Sequence, residues 1–222
     1  MKLIPQVFSH DFIPGGGVRA HLVSMKDHIE ETLALNPLFI NAHSGSDTWS
    51  REEAEDFYGA ALEMEKSIGI AICHETHRMR YFANPWATRL ILEMFPDLKL
   101  TCDFSHWVCV AERLLQDCDE LIRLAADHCH HVHARVGHEE GPQVSDPRAP
   151  EWQNHLKTHE RWWDMIWDSQ KRRGLETTFL TPEFGPPPYL PTLPHTGLPV
   201  ADLADICDWM ARREAGRYAQ RG

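Results

Sequence analysis

Short apolar runs that end in a histidine or an acidic residue recur along the chain at a nearly constant interval. They are Leu38-Phe39-Ile40-Asn41-Ala42-His43, Ile70-Ala71-Ile72-Cys73-His74-Glu75, Leu98-Lys99-Leu100-Thr101-Cys102-Asp103, His131-Val132-His133 and Thr178-Phe179-Leu180-Thr181-Pro182-Glu183, with successive steps of 32, 28, 30 and 50 residues. About thirty residues is the length of one strand-helix unit. Each run is short, apolar and bounded by turn residues, as a buried parallel strand should be. A sixth run, Leu3 to Phe8, reads as a further strand, weakened by Pro5.

Helical periodicity fills the intervals. Leu22, Met25, Ile29 and Leu33 mark a helix from Val18 to Leu35, which Asn36-Pro37 ends. Ser50 with Glu53 forms a capping box that opens a helix to about Ser67, near Gly69. Asn84-Pro85 starts another, which stops before Pro96. A helical region from Trp107 to Asp127 is expected to break near Asp117. Glu151 to Arg173 is helical, its tryptophans read as packing against a neighbour, and Gly174 closes it. Ala201 to Ala219 is the last helix. Pro14-Gly15-Gly16-Gly17, the stretch 137–150 and Gly185-Pro186-Pro187-Pro188 are loops. A loop as long as 137–150 is usually functional or disordered.

Strand and helix alternate throughout, the pattern of parallel α/β architecture. Six strands are visible, and a full (β/α) barrel has eight. The chain starts almost directly in a strand, so the first strand-helix unit is expected to be absent; a last short strand falls in 190–199 or is missing.

Composition narrows the class. The length of 222 residues favours one domain over residues 1–222. The net charge of −11 argues against a nucleic-acid surface, which would want a basic face. Six cysteines with no C-x-x-C pair suggest a reducing compartment rather than a disulfide framework. No apolar run reaches transmembrane length, and a cytoplasmic location is expected.

The strand ends carry the chemistry. In a barrel they converge on one face. A ring of His, Glu, Asp, His and Glu there is a divalent metal site. Glu75 and Glu183, facing each other, would bind a cation and also move protons. Asp103 offers oxygen ligands or caps the helix that follows, and it can do both only through separate oxygens. His106 is placed to turn back towards the same cavity. Alternation puts His131, His133 and Arg135 on one face, with His133 the better ligand because it lies nearer the strand end. The guanidinium of Arg135 suits an anionic or polyhydroxyl oxygen array. In His74-Glu75-Thr76-His77 the histidines are three apart on a strand end, so the H-E-x-x-H zinc-protease signal is absent.

With these residues in place, the chain resembles the sugar isomerase/epimerase group, the xylose isomerase-like TIM barrels that also include apurinic-site endonucleases. The motifs that carry the resemblance are Glu75 in HETH, Asp103 and His106 in DFSH, His133 in HVHAR and Glu183 in TPEFG, and they span roughly His43 to Gly185. The resemblance implies an α/β fold of the xylose isomerase-like TIM-barrel type, incomplete at the N-terminus. It implies a divalent ion (Mn²⁺, Mg²⁺, Co²⁺ or Zn²⁺) held by Glu75, Asp103, His133 and Glu183. His43, His106 and Arg135 would bind substrate, and Glu75 and Glu183 would exchange a proton at a carbon beside a carbonyl. His10 and His43 match strand ends where the endonuclease branch places extra ligands. The Asp-x-His pair expected after the sixth strand is not evident, since the loop carries Asp146-Pro147-Arg148.

The function this implies is a metal-dependent isomerase or epimerase of a small sugar or keto-polyol, acting through an enediolate. A metal-dependent hydrolase or phosphodiesterase, or a non-catalytic shortened barrel that binds a ligand or partner, are the alternatives. The expected partner is a small sugar-like molecule, with no nucleic acid and no membrane; a homo-oligomer is left open.

Overall fold

The computed structural model describes residues 2–11 and 16–221. Pro14 and Gly15 of the first expected loop lie outside the described residues. Six strands are described: β1 Gln6–Phe8, β2 Ile40–His43, β3 Ile72–Glu75, β4 Lys99–Cys102, β5 Cys129–His133 and β6 Phe179–Thr181. Seven α-helices accompany them: α1 Gly17–Leu33, α2 Arg51–Ile68, α3 Pro85–Met94, α4 Phe104–Ala111, α5 Asp119–His128, α6 Gln153–Arg172 and α7 Leu203–Ala219. Strand order in the sheet is chain order, β1 to β6. This is the parallel α/β arrangement that the alternating pattern predicted, with six strands among the described residues. The segment 190–199 supplies an isolated antiparallel bridge, Thr192 to Pro199, rather than a further parallel strand.

The chain divides into two compact units, residues 1–102 with 128–130, and residues 103–127 with 131–222. In the first, β1, β2, β3 and β4 pair in parallel, with Phe8 opposite His43, Ala42 opposite His74, and Glu75 opposite Thr101. The β2 and β3 residues are all buried, which explains why these runs are continuously apolar rather than alternating. α1 buries His21, Met25 and Ile29, one stripe at helical spacing. α2 opens on the predicted capping box, in which Ser50 accepts from the Glu53 amide and Glu53 accepts from the Ser50 amide. It ends at Gly69 in the left-handed conformation. Glu65 then ties α2 to the sheet, accepting from the Ile72 amide at 2.9 Å and from Lys99 Nζ at 2.5 Å. At Gly45 (φ 76°) a Cβ would lie 2.9 Å from the Tyr58 hydroxyl, so a side chain there is excluded on two counts.

In the second unit β5 and β6 pair in parallel, with His133 opposite Thr181. The helical region before β5 is broken as expected, but α4 starts at Phe104 rather than Trp107, because Asp103 caps it by accepting from the Ser105 amide. β6 is shorter than the 177–183 run, and Pro182, which has no N–H to donate, follows directly after it. Trp162, Trp163 and Trp167 of α6 are buried, the packing role expected of them; Trp162 meets Phe104 edge-on at 5.7 Å. All six cysteines are free thiols. No helix among the described residues is long and apolar enough to cross a membrane.

Glu214 of α7 is almost fully buried. Burial pushes its carboxyl up to about 7; Arg217, 2.6 Å from Oε2, opposes the shift and Glu160 adds to it. The folded state therefore holds a proton that the unfolded chain, with an ordinary value of 4.5, gives up earlier. Stability from this group is highest below about pH 4.5 and is lost as pH rises towards about 7. Glu214→Gln is expected to gain on the wild type by about 1–3 kcal/mol between about pH 5 and about pH 8. Urea unfolding at the two pH values measures it; an equal difference at both would place the carboxylate, ionised, in the folded state throughout.

Candidate metal-binding site

Two groups of potential ligands form, one in each unit. In the first unit the period of two along β2 puts Asn41 and His43 on one face, and β3 ends in Glu75. The carboxylate is 1% exposed, and its Oε2 accepts from Asn41 Nδ2 at 2.7 Å and lies 2.8 Å from His43 Nε2. Gln6 Nε2 approaches His43 Nε2 to 2.9 Å. His77, just past the strand end, lies against His43 with ring centroids 4.2 Å apart and planes tilted by 31°. Ligand atoms of His43, Glu75 and His77 all lie within 4.8 Å of one another.

His74 faces the other way, as strand alternation requires. Its Nδ1 meets Ser44 Oγ at 2.7 Å, and Tyr58 packs edge-on against the ring. Burial pushes its pKa down to about 3, so it is a neutral packing residue rather than a ligand or a proton carrier near neutrality.

In the second unit Asp103 serves its two roles through two oxygens, the condition the sequence set. Oδ1 accepts from the Ser105 amide at 3.0 Å and from the Ser105 hydroxyl at 2.5 Å, capping α4. Oδ2 accepts from Arg135 at 2.5 Å. The guanidinium also donates to Ser105 Oγ at 3.2 Å and to His106 Nε2 at 2.6 Å. Because Arg only donates, that ring nitrogen is the acceptor, and the His106 proton sits on Nδ1. Arg135 lies over the Tyr189 ring, 5.1 Å from its centroid. At Gly137 a Cβ would fall 2.6 Å from the Ser105 carbonyl oxygen, so only glycine lets the chain after β5 lie this close to the α4 cap.

His131 and His133 share one face of β5, rings 4.7 Å apart, and His131 is held by Thr181 Oγ1 at 2.9 Å. Glu183 follows β6. Its loop is fixed by Gln143, which accepts from the Gly185 amide at 2.7 Å and donates to the Gly185 carbonyl at 3.1 Å. Glu183 Oε2 stands 2.7 Å from His133 Nδ1 and 3.6 Å from Arg135. This oxygen is buried and has no hydrogen-bond partner, so the 2.7 Å approach to His133 is not aligned as a hydrogen bond. A carboxylate oxygen and an imidazole nitrogen brought that close suit a common cation. Ligand atoms of Asp103, His133 and Glu183 lie within 4.8 Å of one another. The donor set of two carboxylates and an imidazole fits a hard or borderline divalent ion.

The structure thus gathers Asp103, His106, His133, Arg135 and Glu183 in one unit, and His43 with Glu75 in the other. Asn41, Ser105, His77, Gln143 and Tyr189 join these groups without having been singled out from the sequence. Asn41 was legible, since it sits two residues before His43 on the same strand. Tyr189 was not, because nothing in a proline-rich loop marks which ring will turn under a guanidinium.

No family model matches the sequence, and no curated protein matches it. Solved structures do resemble it in fold. One is a D-tagatose 3-epimerase-like protein, 15% identical, with 80% of this chain covering 70% of that one at a TM-score of 0.54. Another is the probable 3-DHS dehydratase AsbF from Bacillus anthracis, involved in petrobactin synthesis, 13% identical, with 85% of this chain covering 72% of that one at a TM-score of 0.53. The fold is that of the xylose isomerase-like TIM barrels, as the motif order implied.

Proposed function

We propose that the chain is a divalent-metal-dependent isomerase or epimerase of a small sugar or keto-polyol, built as one barrel domain over residues 1–222. The observation that carries this is the convergence of Asp103, His133 and Glu183 beside the Arg135 guanidinium. Glu75 is the fourth ligand in this proposal. Three carboxylates then balance one guanidinium and one divalent ion, so no net charge is buried uncompensated. The epimerase-like and dehydratase neighbours are enzymes by name and agree with catalysis on this fold.

A bound divalent ion supplies polarisation of the substrate carbonyl, which acidifies the neighbouring C–H. Glu75 and Glu183 take and return the proton at that carbon, which inverts or relocates the centre. Glu183, with its side chain 30% exposed, is the more accessible of the pair. Asn41 Nδ2 holds Glu75 in one orientation through the 2.7 Å hydrogen bond. Arg135 and His106, locked to each other, fix the charge beside Asp103 rather than travelling with the substrate.

The test is proton exchange in D₂O. Protein loaded with Mn²⁺, Mg²⁺, Co²⁺ or Zn²⁺ is incubated with a panel of ketoses and keto-polyols, and deuterium at the α-carbon is read by mass spectrometry. Metal-dependent incorporation is expected. Folded, metal-loaded protein that exchanges none of the panel counts against the proposal, and cleavage of phosphodiesters instead would move the chemistry to hydrolysis.

A further inference from the structure

We propose that the second unit binds a small amine, carried on an apolar or aromatic body, in a cavity between β6, α6 and α7. The cavity measures about 380 Å³, within the range of about 300–1,000 Å³ usual for small-molecule sites. From β6 and its flanks its wall takes Thr178, Leu180 and Pro182, every second residue and hence one face of the strand. Glu183 takes no part in that wall, so the cavity is separate from the ligands gathered at the strand ends.

One stripe of α7 closes the other side. Ala211, Glu214, Ala215 and Tyr218 follow at helical spacing, and the two alanines leave space that larger side chains would fill. Trp167 of α6 meets Tyr218 edge-on, with ring centroids 5.2 Å apart. These two rings and Leu180 make an apolar wall that suits an aromatic or aliphatic body.

Buried polar atoms with nothing to bond mark the polar end. Glu214 is 1% exposed; its Oε2 accepts from Arg217 at 2.6 Å, and its Oε1 has no hydrogen-bond partner. Arg213 Nε stands 3.9 Å from Oε1 and donates to Glu160 instead. Thr178 Oγ1 belongs to the same wall and is likewise buried without a hydrogen-bond partner. An ionised carboxylate only accepts and a hydroxyl does both, so a group with several N–H donors satisfies the two together.

Charge selects an ammonium over a neutral donor. Glu160, Asp164, Asp168 and Glu214 share the guanidiniums of Arg213, Arg217 and Arg221, four carboxyls for three cations. Glu176 adds a further carboxyl to the cavity wall, which takes no Lys or Arg from the described residues. The network is thus one positive charge short, and burial holds a proton on Glu214 up to about 7. An ammonium at Oε1 supplies the missing charge in place of that proton. It is a compact charge with three donors, enough for Glu214 and Thr178 at once.

Phenethylamine is the probe. It is titrated by calorimetry into the full chain in chelator at about pH 8, where an alkylamine is protonated and Glu214 is largely ionised. Phenethyl alcohol and hydrocinnamate are the neutral and anionic controls. Saturable binding of the amine is expected, about 10–100-fold tighter than either control, the usual worth of hydrogen bonds to a charged group. Glu214→Gln is expected to weaken the amine by a similar factor. Ala215→Leu fills the cavity without touching a charge, and it is expected to weaken the amine as much. Both variants are checked by circular dichroism; Ala215 is exposed, so its variant decides the matter if Glu214→Gln does not fold. Mn²⁺ in place of chelator is expected to leave the affinity unchanged. The site is overturned by an amine that does not bind, that binds no tighter than the alcohol, or that binds undiminished to either folded variant. Displacement of the amine by Mn²⁺ overturns it too, since that would put the ammonium among the strand-end ligands.

Discussion

Glu183→Gln is expected to lower turnover by about 10²–10⁴-fold, the usual worth of a positioned general acid or base, with the fold intact. The structural cost is small because Glu183 sits in the loop after β6 with 30% of its side chain exposed, and glutamine has the same shape. Gln143 continues to fix the loop through Gly185, two residues on, so the substituted side chain stays where the carboxylate was. Glutamine keeps an oxygen that can weakly ligate an ion but loses both the negative charge and the ability to carry a proton. Metal content of the variant, measured beside turnover, separates acid–base chemistry from metal binding. Deuterium exchange should collapse, while the thermal midpoint moves by no more than a few degrees. Unchanged exchange would remove Glu183 from the mechanism and leave Glu75 to act alone.

The candidate groups were legible from spacing because parallel strands impose it. Successive strands run parallel, so residues at the ends of successive apolar runs land near the sheet's C-terminal edge whatever lies between. That is why Asp103, His133 and Glu183 could be named together without coordinates. The Ser50-Glu53 box and the Asn84-Pro85 start were legible for the same local reason, since their partners lie within four residues. The pairing of Arg135 was not. Its alternation with His131 and His133 gave the face, but the chain leaves the strand after His133, and the guanidinium turns to Asp103, Ser105 and His106 some thirty positions earlier. Such a contact depends on how the chain before α4 meets the chain after β5, and on Gly137 permitting the approach. No local pattern encodes it. The bond from Arg135 to His106 Nε2 was likewise hidden, since the sequence offered His106 only as a group turned towards the cavity.

Arg135→Ala is expected to destabilise the protein by about 3–5 kcal/mol, the cost of leaving one partner of a buried ion pair uncompensated. Arg135 is 3% exposed and Asp103 0%, so water cannot replace the guanidinium without opening the structure. A residue that only contacted substrate would give a different result, with binding weakened and stability unmoved. Asp103→Asn discriminates further. Alone it weakens the 2.5 Å ion pair but leaves an oxygen for the Ser105 amide. Combined with Arg135→Ala it removes the stranded charge, so the double variant should recover a good part of the loss. Urea unfolding of the four proteins in chelator gives the coupling free energy directly. A coupling near zero would mean that Asp103 and Arg135 are not paired in the metal-free protein, and that the carboxylate is held by the Ser105 cap alone. A large coupling in chelator that shrinks on adding Co²⁺ or Mn²⁺ would show the ion taking over part of the neutralisation that the guanidinium provides.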